Sequence, residues 1–312
     1  MKNNLSYTDL YLTSAGFTIR IRFHPKINNY EKSDFTNNLY NNITNYFGKL
    51  IKKSAGDADY SIEVIRHPVK VFHKANNGSL NHFIHYYIEK NNEIITFHHL
   101  SFEQFLLLII QSLQILLSRQ NGFLLHASGV VYKKTVLIFT GKSTAGKSTV
   151  IKLLIDKFKP VADDSIIIKK EKNTYYAYQT PIKDKGNWIS KSAKRYKIGG
   201  VFFLKKQSYF RISKVNDKNL IIKLLAKQLW SNKILLNKQI KELLNFINTY
   251  DSFYQLAFLK DKEGLVSLMG KYIKDYSNNL SKYFHLEEYN QRYSSTHKVN
   301  TLLKVNRLYH KN

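Results

Sequence analysis

The chain has no cysteine among its 312 residues. This absence excludes disulfide bonds, zinc or iron-sulfur clusters ligated by cysteine, and a thiol nucleophile. Acidic residues are scarce as well, because 22 Asp and Glu stand against 49 Lys and Arg, and the formal net charge is +27. A positive excess of this size would attract an acidic peptide, protein or nucleotide, and the attraction should weaken as salt is added.

Motifs of nucleic-acid-binding proteins are also missing. The chain contains no RNP-like aromatic motif, no zinc finger and no basic heptad segment. Its lysines are scattered among abundant asparagine, isoleucine and tyrosine residues, as a compositional bias of the coding DNA would produce. We therefore expect no specific nucleic-acid partner.

Long hydrophobic runs are absent too. The longest, Phe105 to Leu117, is interrupted by Gln111, Ser112 and Gln114, and it is shorter than the roughly 20 apolar residues that cross a bilayer. Residues 1–6 lack the apolar region of a secretory signal. With 43% hydrophobic residues, the chain has enough apolar side chains for the cores of two domains. We expect a globular protein without a membrane partner, in the cytoplasm.

The pattern of predicted elements divides the chain into three parts. Residues 1–120 predict a smaller N-terminal α+β domain, which we expect to recognise the substrate. Residues 121–271 carry the chemical motifs, and residues 272–312 are expected to form a basic C-terminal appendage. The predicted elements of the first part are strands over 17–23, 60–65, 83–88 and 94–97 and a helix over 102–118.

The second part begins with two extended runs joined by Lys133 and Lys134, which predict a hairpin. Apolar residues at helical spacing follow from Val150 to Phe158, and Pro160 marks the end of that helix. The other predicted elements of this part are strands near 175–178, 200–204 and 253–258 and helices near 219–230 and 238–250.

The segment Gly141 to Ser148 fills every fixed position of the pattern G-x-x-x-x-G-K-[ST]. A predicted strand precedes it and a predicted helix follows it. In that order, backbone N–H groups turn toward a nucleotide phosphate, and the helix N-terminus adds about half a positive charge. We expect Lys147 to reach the outer phosphates and the Ser148 hydroxyl to hold Mg²⁺. The predicted nucleotide contacts are Gly141, Ser143, Ala145, Gly146, Lys147, Ser148 and Thr149.

Asp163 and Asp164 follow Lys147 by 16 and 17 positions, at the start of the next predicted strand. A carboxylate placed there can hold the metal or accept the proton of an attacking hydroxyl. Neighbours on an extended chain point to opposite sides, so we expect the two residues to have different roles. The alternative is structural, with Asp163, Asp164 and Ser165 forming a turn at the strand entry.

His126 directly precedes the predicted hairpin. A single histidine beside apolar residues is commonly a structural residue. If the two strands pair, however, the end of the hairpin that holds His126 is carried near the active face. A group that can gain or lose a proton near neutral pH would be useful there.

The series formed by His126, the hairpin, the Gly141 to Ser148 loop and the Asp163–Asp164 pair resembles the catalytic domain of HPr kinase/phosphorylase and its relatives. Two later segments look similar as well, Gln179 to Pro181 and Lys197 to Leu204. The resemblance spans residues 120 to 260, and the loop is its specific part.

This resemblance implies an α/β fold of the phosphoenolpyruvate-carboxykinase-like type, with a P-loop kinase domain preceded by the smaller α+β domain. It implies ATP and Mg²⁺ as cofactors and, as partner, a protein or peptide with an acceptor serine. By position, Asp163 would be the base, Lys147 the charge that holds phosphate, and His126 the family's active-site histidine. Asp164 would support the metal, together with Ser148, or orient Asp163. Relatives assemble into oligomers, so the resemblance also allows a homo-oligomer.

The chain departs from the family pattern at three points. Thr144 stands where the family loop usually has glycine, the Glu-x-Arg-Gly type signature has no evident counterpart, and the later catalytic arginine has only Arg195 and Arg211 as candidates. We therefore expect an ATP- and Mg²⁺-dependent serine kinase whose acceptor is another protein or a small peptide. The alternative is a nucleotide-binding regulatory module that does not transfer phosphate. The chain contains neither the L-S-G-G-Q run of ABC-type motors nor the N-K-x-D run of GTPases.

Overall fold

The computed structural model describes residues 7–25, 35–54, 56–65, 72–76, 79–83, 87–97, 100–184 and 189–276. These residues form a mixed α/β protein with two large sheets, which confirms the predicted fold class at that level. The chain divides into two compact units, residues 1–260 and residues 261–312.

The N-terminal part of the first unit is built on a sheet of six strands. Its elements are β1 (Thr8–Ser14), β2 (Phe17–Phe23), α1 (Phe35–Phe47), β3 (Ile51–Lys52), β4 (Tyr60–Ile65), β5 (Phe72–Asn76), β6 (Ser79–Phe83), β7 (Tyr87–Lys90), β8 (Glu93–Phe97) and α2 (Phe102–Arg119). The strand order is β3-β1-β2-β4-β8-β7, and β5 pairs with β6 separately. Side chains alternate between buried and half-buried along β2, as its sequence predicts.

Most predicted elements of this part are present. The strands predicted over 17–23, 60–65 and 94–97 and the helix over 102–118 correspond to β2, β4, β8 and α2. The strand predicted over 83–88 falls between the end of β6 and the start of β7, and residues 84–86 lie outside the described residues.

Helix α2 is a core helix of the first unit. With 18 residues it is long and apolar enough to cross a membrane by length and composition alone, contrary to the expectation that this run is too short. Half of it is buried inside the protein, however, and Phe105 and Leu108 are fully enclosed. The side-chain amide of Gln114 donates a hydrogen bond to the Trp230 carbonyl at 2.9 Å. Such burial is typical of a helix that packs within a protein.

The larger sheet has nine strands and carries the predicted chemical motifs. Its elements and the helices between them are β9 (Gly122–Leu125), β10 (Ala127–Tyr132), β11 (Thr135–Thr140), α3 (Lys147–Leu154), β12 (Lys159–Ala162), β13 (Ile166–Glu171), β14 (Thr174–Gln179), β15 (Arg195–Lys206), β16 (Arg211–Lys214), α4 (Lys218–Ala226), α5 (Leu236–Thr249) and β17 (Phe253–Phe258). The main strand order is β12-β10-β11-β15-β14-β13-β9; β17 also pairs with β15, and β16 with β17.

The predicted hairpin is present as β10 and β11, and the predicted closing strand is β17. The predicted helices near 219–230 and 238–250 correspond to α4 and α5. Helix α3 ends at Leu154, so the expectation that it reaches Phe158 is wrong. Pro160 lies instead in β12, which pairs with β10. The strand β9 was not predicted; it places His126 between two strands.

The Gly141 to Ser148 loop follows directly after β11, which pairs in parallel with β15. Thr140, the last residue of β11, lies opposite Phe203, and β15 continues to Lys206. The register of this pair shifts between Val136 and Leu137, where β15 has Gly199 as an additional residue. A Cβ atom at Gly199 would lie 2.4 Å from the Thr135 Cγ2 atom, so a side chain cannot be accommodated there without movement.

The two sheets of the first unit share a hydrophobic core. One cluster joins side chains of β1, β2, α1 and α2 to Leu124, Ile167 and Tyr178 of the larger sheet. The buried Lys169 ammonium group adds a polar contact between the two sheets. It donates a hydrogen bond to the Ala15 carbonyl at 3.0 Å and lies 4.1 Å from the Phe17 ring centroid. A second cluster packs α4 and α5 against the larger sheet. The proposed domain boundary near residue 120 stays a prediction.

The second unit begins at Asp261. Residues 262–276 are helical, and the Asp261 carboxylate accepts a hydrogen bond from the Gly264 amide at 2.9 Å, as an N-terminal capping residue does. The appendage predicted over 272–312 begins inside this helix, and its residues 277–312 lie outside the described part of the chain. The boundary predicted at residue 271 likewise stays a prediction.

We expect Gly199→Ala to lower the free energy of unfolding by about 1–3 kcal/mol, because the added methyl group overpacks the contact between β11 and β15. Urea denaturation followed by circular dichroism measures the change. Gly270→Ala is the matched control, since a Cβ there meets no heavy atom of the described residues within 4 Å, and alanine favours the helix. Equal stability of the two variants would show that the close contact at Gly199 has no energetic consequence.

Candidate functional site

The Gly141 to Ser148 loop, called the glycine loop below, connects the end of β11 to the start of α3. Gly141 and Gly146 have positive φ angles of 155° and 101°. A Cβ atom at Gly146 would lie 2.9 Å from Cζ of Phe258, and one at Gly141 would lie 2.9 Å from Cβ of Ala145. Both glycines are therefore required by conformation and by space.

Lys147 is the first residue of α3, and its residue surface is 8% exposed. Its ammonium group donates a hydrogen bond to the Gly141 carbonyl at 2.9 Å, which folds the side chain back across the glycine loop. Burial lowers the pKa of this ammonium group, while the carboxylates of Asp164 and Asp163 act in the opposite direction. Their influence on Lys147 indicates that the predicted acids and the predicted phosphate-binding cation share one site.

His126 lies at the same open end of the hairpin as the glycine loop, because Ala127 pairs with Thr140. Its backbone N–H donates to the Gln228 carbonyl at 2.7 Å, and its carbonyl accepts from the Thr140 hydroxyl at 3.3 Å. The Nδ1 atom of its ring lies 3.4 Å from Oδ1 of Asp164, and both side chains are 41% exposed. The two groups form an ion pair when the imidazole is protonated.

Asp163 and Asp164 lie in a bend between β12 and β13. The expectation that they start a strand is thus wrong, because the next strand begins at Ile166. The different roles expected for the two residues stay a prediction. One oxygen of the Asp184 carboxylate accepts hydrogen bonds from the backbone N–H groups of Asp163 at 2.8 Å and Asp164 at 3.1 Å. The other oxygen lies 2.6 Å from the Lys191 ammonium group.

The side chains of Asp184 and Lys191 are only 1% and 9% exposed. A buried ion pair is stable only when its remaining hydrogen-bonding capacity is used, and the two N–H groups of the bend use that of Asp184. The Ser128 hydroxyl holds the same bend from the hairpin by donating to the Asp163 carbonyl at 2.9 Å. The backbone of the acidic pair is therefore held from two sides.

The Asp163 side chain has an unused acceptor. Its Oδ1 atom is buried and has no hydrogen-bond partner among the described residues. A buried carboxylate oxygen without a partner is costly, and such atoms are concentrated at functional sites, where a ligand or an ion satisfies them. This atom is the observation in this site that points most directly to a bound hydroxyl or cation.

These residues surround an open pocket of about 320 Å³. All residues of the predicted site except Gly141 line it, including Ser143, Ala145 and Thr149. Gly141 takes part through its carbonyl group, which accepts the hydrogen bond from Lys147. The structure therefore brings the predicted residues together, and their chemical roles stay predictions.

Two further residues, Thr144 and Lys206, line the pocket and were not predicted as part of the site. The strand predicted at 200–204 could have indicated Lys206, because the carboxyl ends of parallel strands meet at one edge of a sheet and Lys206 follows that strand. Asp184 and Lys191 were also missed, and no local sequence pattern distinguishes them.

Neither arginine considered for catalysis lines the pocket. Arg195 starts β15, roughly 35 Å along the strand from Lys206, and pairs with Glu171. Arg211 lies in β16 opposite Ala257 of β17. Within the described residues, the positive side chains that line the pocket are therefore Lys147 and Lys206, with His126 as a third when it is protonated.

The predicted metal ligands, Ser148 and Asp164, both line the pocket. The described residues contain no group of three or more His, Cys, Asp or Glu side chains that could hold a metal ion by themselves. Mg²⁺ commonly binds through one or two protein oxygens together with substrate phosphates and waters. The oxygen donors present fit an ion that arrives with a nucleotide better than a cage made of protein alone.

A scan against protein-family models found no match, and a comparison with curated proteins found none either. Among solved structures, the chain is similar to that of the HPr(Ser) kinase/phosphatase from Coxiella burnetii. The identity is 14% and the TM-score 0.29, and the match covers 51% of this chain and 98% of that chain. At these values the similarity carries no argument about function, which has to be inferred from this chain's own residues.

We expect Asp184→Ala to lower the free energy of unfolding by about 3 kcal/mol or more, because it leaves the Lys191 charge and two N–H groups buried without a partner. Urea denaturation measures the loss. Asp57→Ala, which removes an exposed carboxylate, is the control and should change stability little. If both variants are equally stable, the Asp184 network does not hold the bend.

Thr144 has a φ angle of 66°, which is unfavourable for a β-branched residue. We expect Thr144→Gly to raise the free energy of unfolding by about 1 kcal/mol, because glycine adopts this conformation without strain. Ser143→Gly is the control and should lower stability, since Ser143 is not among the described residues with positive φ. Thermal denaturation of both variants distinguishes relief of backbone strain at position 144 from a general tolerance of the glycine loop toward added glycine.

Proposed function

We propose that this chain is an ATP- and Mg²⁺-dependent kinase that transfers the terminal phosphate to a serine hydroxyl of a protein or peptide. The observation that carries the proposal is the meeting of three features in one pocket: the glycine loop, the buried Lys147, and Asp163 with a carboxylate oxygen that has no partner among the described residues. A site that only binds a magnesium-nucleotide has no need of a second carboxylate beyond the one that holds the metal, because two negative groups repel each other.

The proposed chemistry assigns each group one task. The backbone N–H groups of the glycine loop and the Lys147 ammonium group bind the phosphates, once Lys147 has exchanged its contact with the Gly141 carbonyl for one with the nucleotide. Asp163 accepts the proton of the serine hydroxyl as the oxygen attacks the terminal phosphorus. The bond from serine oxygen to phosphorus forms, the bond to the bridging oxygen of ADP breaks, and phosphoserine and ADP leave.

Asp164 and Ser148 are the proposed ligands of the Mg²⁺ ion, which would neutralise phosphate charge when it is bound. His126 lies beside Asp164, so it orients that carboxylate through the Nδ1 contact and, when protonated, adds positive charge near the phosphates. Asp184 has a supporting role, because it holds the backbone from which both Asp163 and Asp164 extend.

A second candidate function is supported by the absence of an arginine from the lining of the pocket as the described residues form it. Phosphoryl transfer commonly uses an arginine to stabilise the transition state. Without one, the chain would bind ATP as a regulatory module and transfer nothing. Tight binding of ATP without phosphorylation of any acceptor would favour this function over the kinase.

We expect Asp163→Asn to reduce phosphoryl transfer by a factor of about 10² to 10⁴, because asparagine cannot accept the hydroxyl proton. The assay combines labelled ATP, Mg²⁺ and candidate peptides, and phosphoserine is identified in the product. Calorimetry on the same variant should show nucleotide affinity at least as high as that of the unsubstituted protein, since asparagine retains the shape of aspartate and removes a negative charge beside the phosphates.

Lys147→Met provides the opposite control, because it should remove nucleotide binding and transfer together. Transfer by Asp163→Asn at the rate of the unsubstituted protein would contradict the role of Asp163 as base. If correctly folded protein shows no binding of any magnesium-nucleotide mixture, the proposed function itself is wrong.

A further inference from the structure

We propose that Lys206 is a second phosphate-binding residue, which contacts the terminal phosphate of ATP and stabilises the charge that moves during transfer. This inference rests on the proposed function and adds to it a group that distinguishes ATP from ADP. Lys206 would supply the positive charge that no arginine supplies in the lining of the pocket as the described residues form it. It lies on a strand that is separate from the glycine loop.

The position of Lys206 follows from the parallel pairing of β11 and β15. Thr140 lies opposite Phe203, so both strands run to the same edge of the sheet. Lys206 lies three residues beyond Phe203, which extends the strand by about 10 Å. The chain of β11 turns into the glycine loop over this distance, so the end of β15 runs alongside the loop.

Packing around Gly146 brings the Lys206 side chain to the glycine loop. A Cβ atom placed on Gly146 would lie 3.4 Å from Cε of Lys206 and 2.9 Å from Cζ of Phe258. The backbone of Lys206 pairs with that of Phe258 on β17, and the Gln207 N–H donates to the Phe258 carbonyl at 2.9 Å. The aliphatic part of Lys206 therefore rests against the loop backbone, and its ammonium group is one bond further on.

The Lys206 ammonium group is available for a ligand. Within the part of the chain that the structure describes, no carboxylate lies within ion-pair distance of it, whereas Lys191 is paired with Asp184. Lys147 and Lys206 together offset the two negative charges of Asp163 and Asp164 in the pocket. Without Lys206 the side chains of the pocket would carry a net negative charge while His126 is neutral, which would oppose the binding of a terminal phosphate.

The neighbouring residue Lys205 provides a matched control. It precedes Lys206 in β15, is exposed, and does not line the pocket. Successive side chains of a strand point to opposite faces, so the two lysines differ in direction. Lys205→Gln and Lys206→Gln change the net charge of the chain equally and occupy adjacent positions in the same strand. A difference between them reports contact with the ligand and not the general positive field.

The test is calorimetry with Mg²⁺ and either a non-hydrolysable ATP analogue or ADP. We expect Lys206→Gln to weaken binding of the ATP analogue by about 10- to 100-fold, which is the usual effect of one charge-assisted hydrogen bond. Binding of ADP should change by less than about threefold. Lys205→Gln should bind both nucleotides like the unsubstituted protein, and Lys206→Arg should retain most of the preference for the ATP analogue. Equal melting temperatures of the three variants exclude unfolding as the cause.

Three results would overturn the inference while the proposed function stands. In the first, Lys206→Gln binds both nucleotides with normal affinity. In the second, it weakens the binding of ADP as much as that of the ATP analogue, which assigns Lys206 to the inner phosphates. In the third, Lys205→Gln shows the same loss of affinity, which assigns the effect to net charge. A failure of the unsubstituted protein to bind any nucleotide would instead reject the proposed function, and the inference with it.

Discussion

The site depends on the parallel pairing of β11 with β15. Because parallel strands end at the same edge of a sheet, the glycine loop after β11 and Lys206 at the end of β15 lie side by side. The strand β17 adds Phe258 to the same edge and closes the space beside Gly146. Gly199 permits the shift in register that this pairing contains, since any side chain at that position would collide with Thr135.

Unfavourable local features are concentrated around this pocket. Thr144 has a positive φ angle, one oxygen of Asp163 is buried without a partner among the described residues, and Lys147 is partly desolvated. Each feature costs free energy by itself, and such features are concentrated at functional sites. Under the proposed function, each would be compensated by bound phosphate, an acceptor hydroxyl or a cation. The shared hydrophobic core and the Asp184–Lys191 pair hold the surrounding backbone, so the strained groups keep their positions.

The charge of the chain acts on two length scales. The net charge of +27 draws acidic molecules toward the surface in general, and salt weakens this attraction. Inside the pocket the charges of Lys147 and Lys206 balance those of Asp163 and Asp164, so selectivity there depends on the position of each group and not on the total. The kinase and the regulatory module differ at this second level, since both would bind a nucleotide and only the kinase uses Asp163 as a base.

Much of the site could be predicted from the sequence, because its central part is local. The order of strand, glycine loop and helix is encoded in consecutive residues, and β2, β10, β11 and β17 follow from their apolar patterns. The bend at Asp163 and Asp164 was one of two alternatives that the residue types allowed. The sequence does not predict the end of α3, because tertiary contacts decide the conformation of the residues that follow. Phe158 is buried, and Pro160 lies in a strand that pairs with β10.

By itself, the sequence determined the glycine loop, Lys147 and the two candidate acids, since backbone conformation and charge within a short segment depend on neighbouring residues. Only the tertiary structure decided that Asp184 holds the acidic bend, that His126 lies beside Asp164, and that Lys206 reaches the pocket. These contacts join residues that are 20, 38 and 60 positions apart, as in Asp164 to Asp184, His126 to Asp164 and Gly146 to Lys206. The pairing order of the strands brings such residues together, and that order is set by burial across the whole sheet and not by any local pattern.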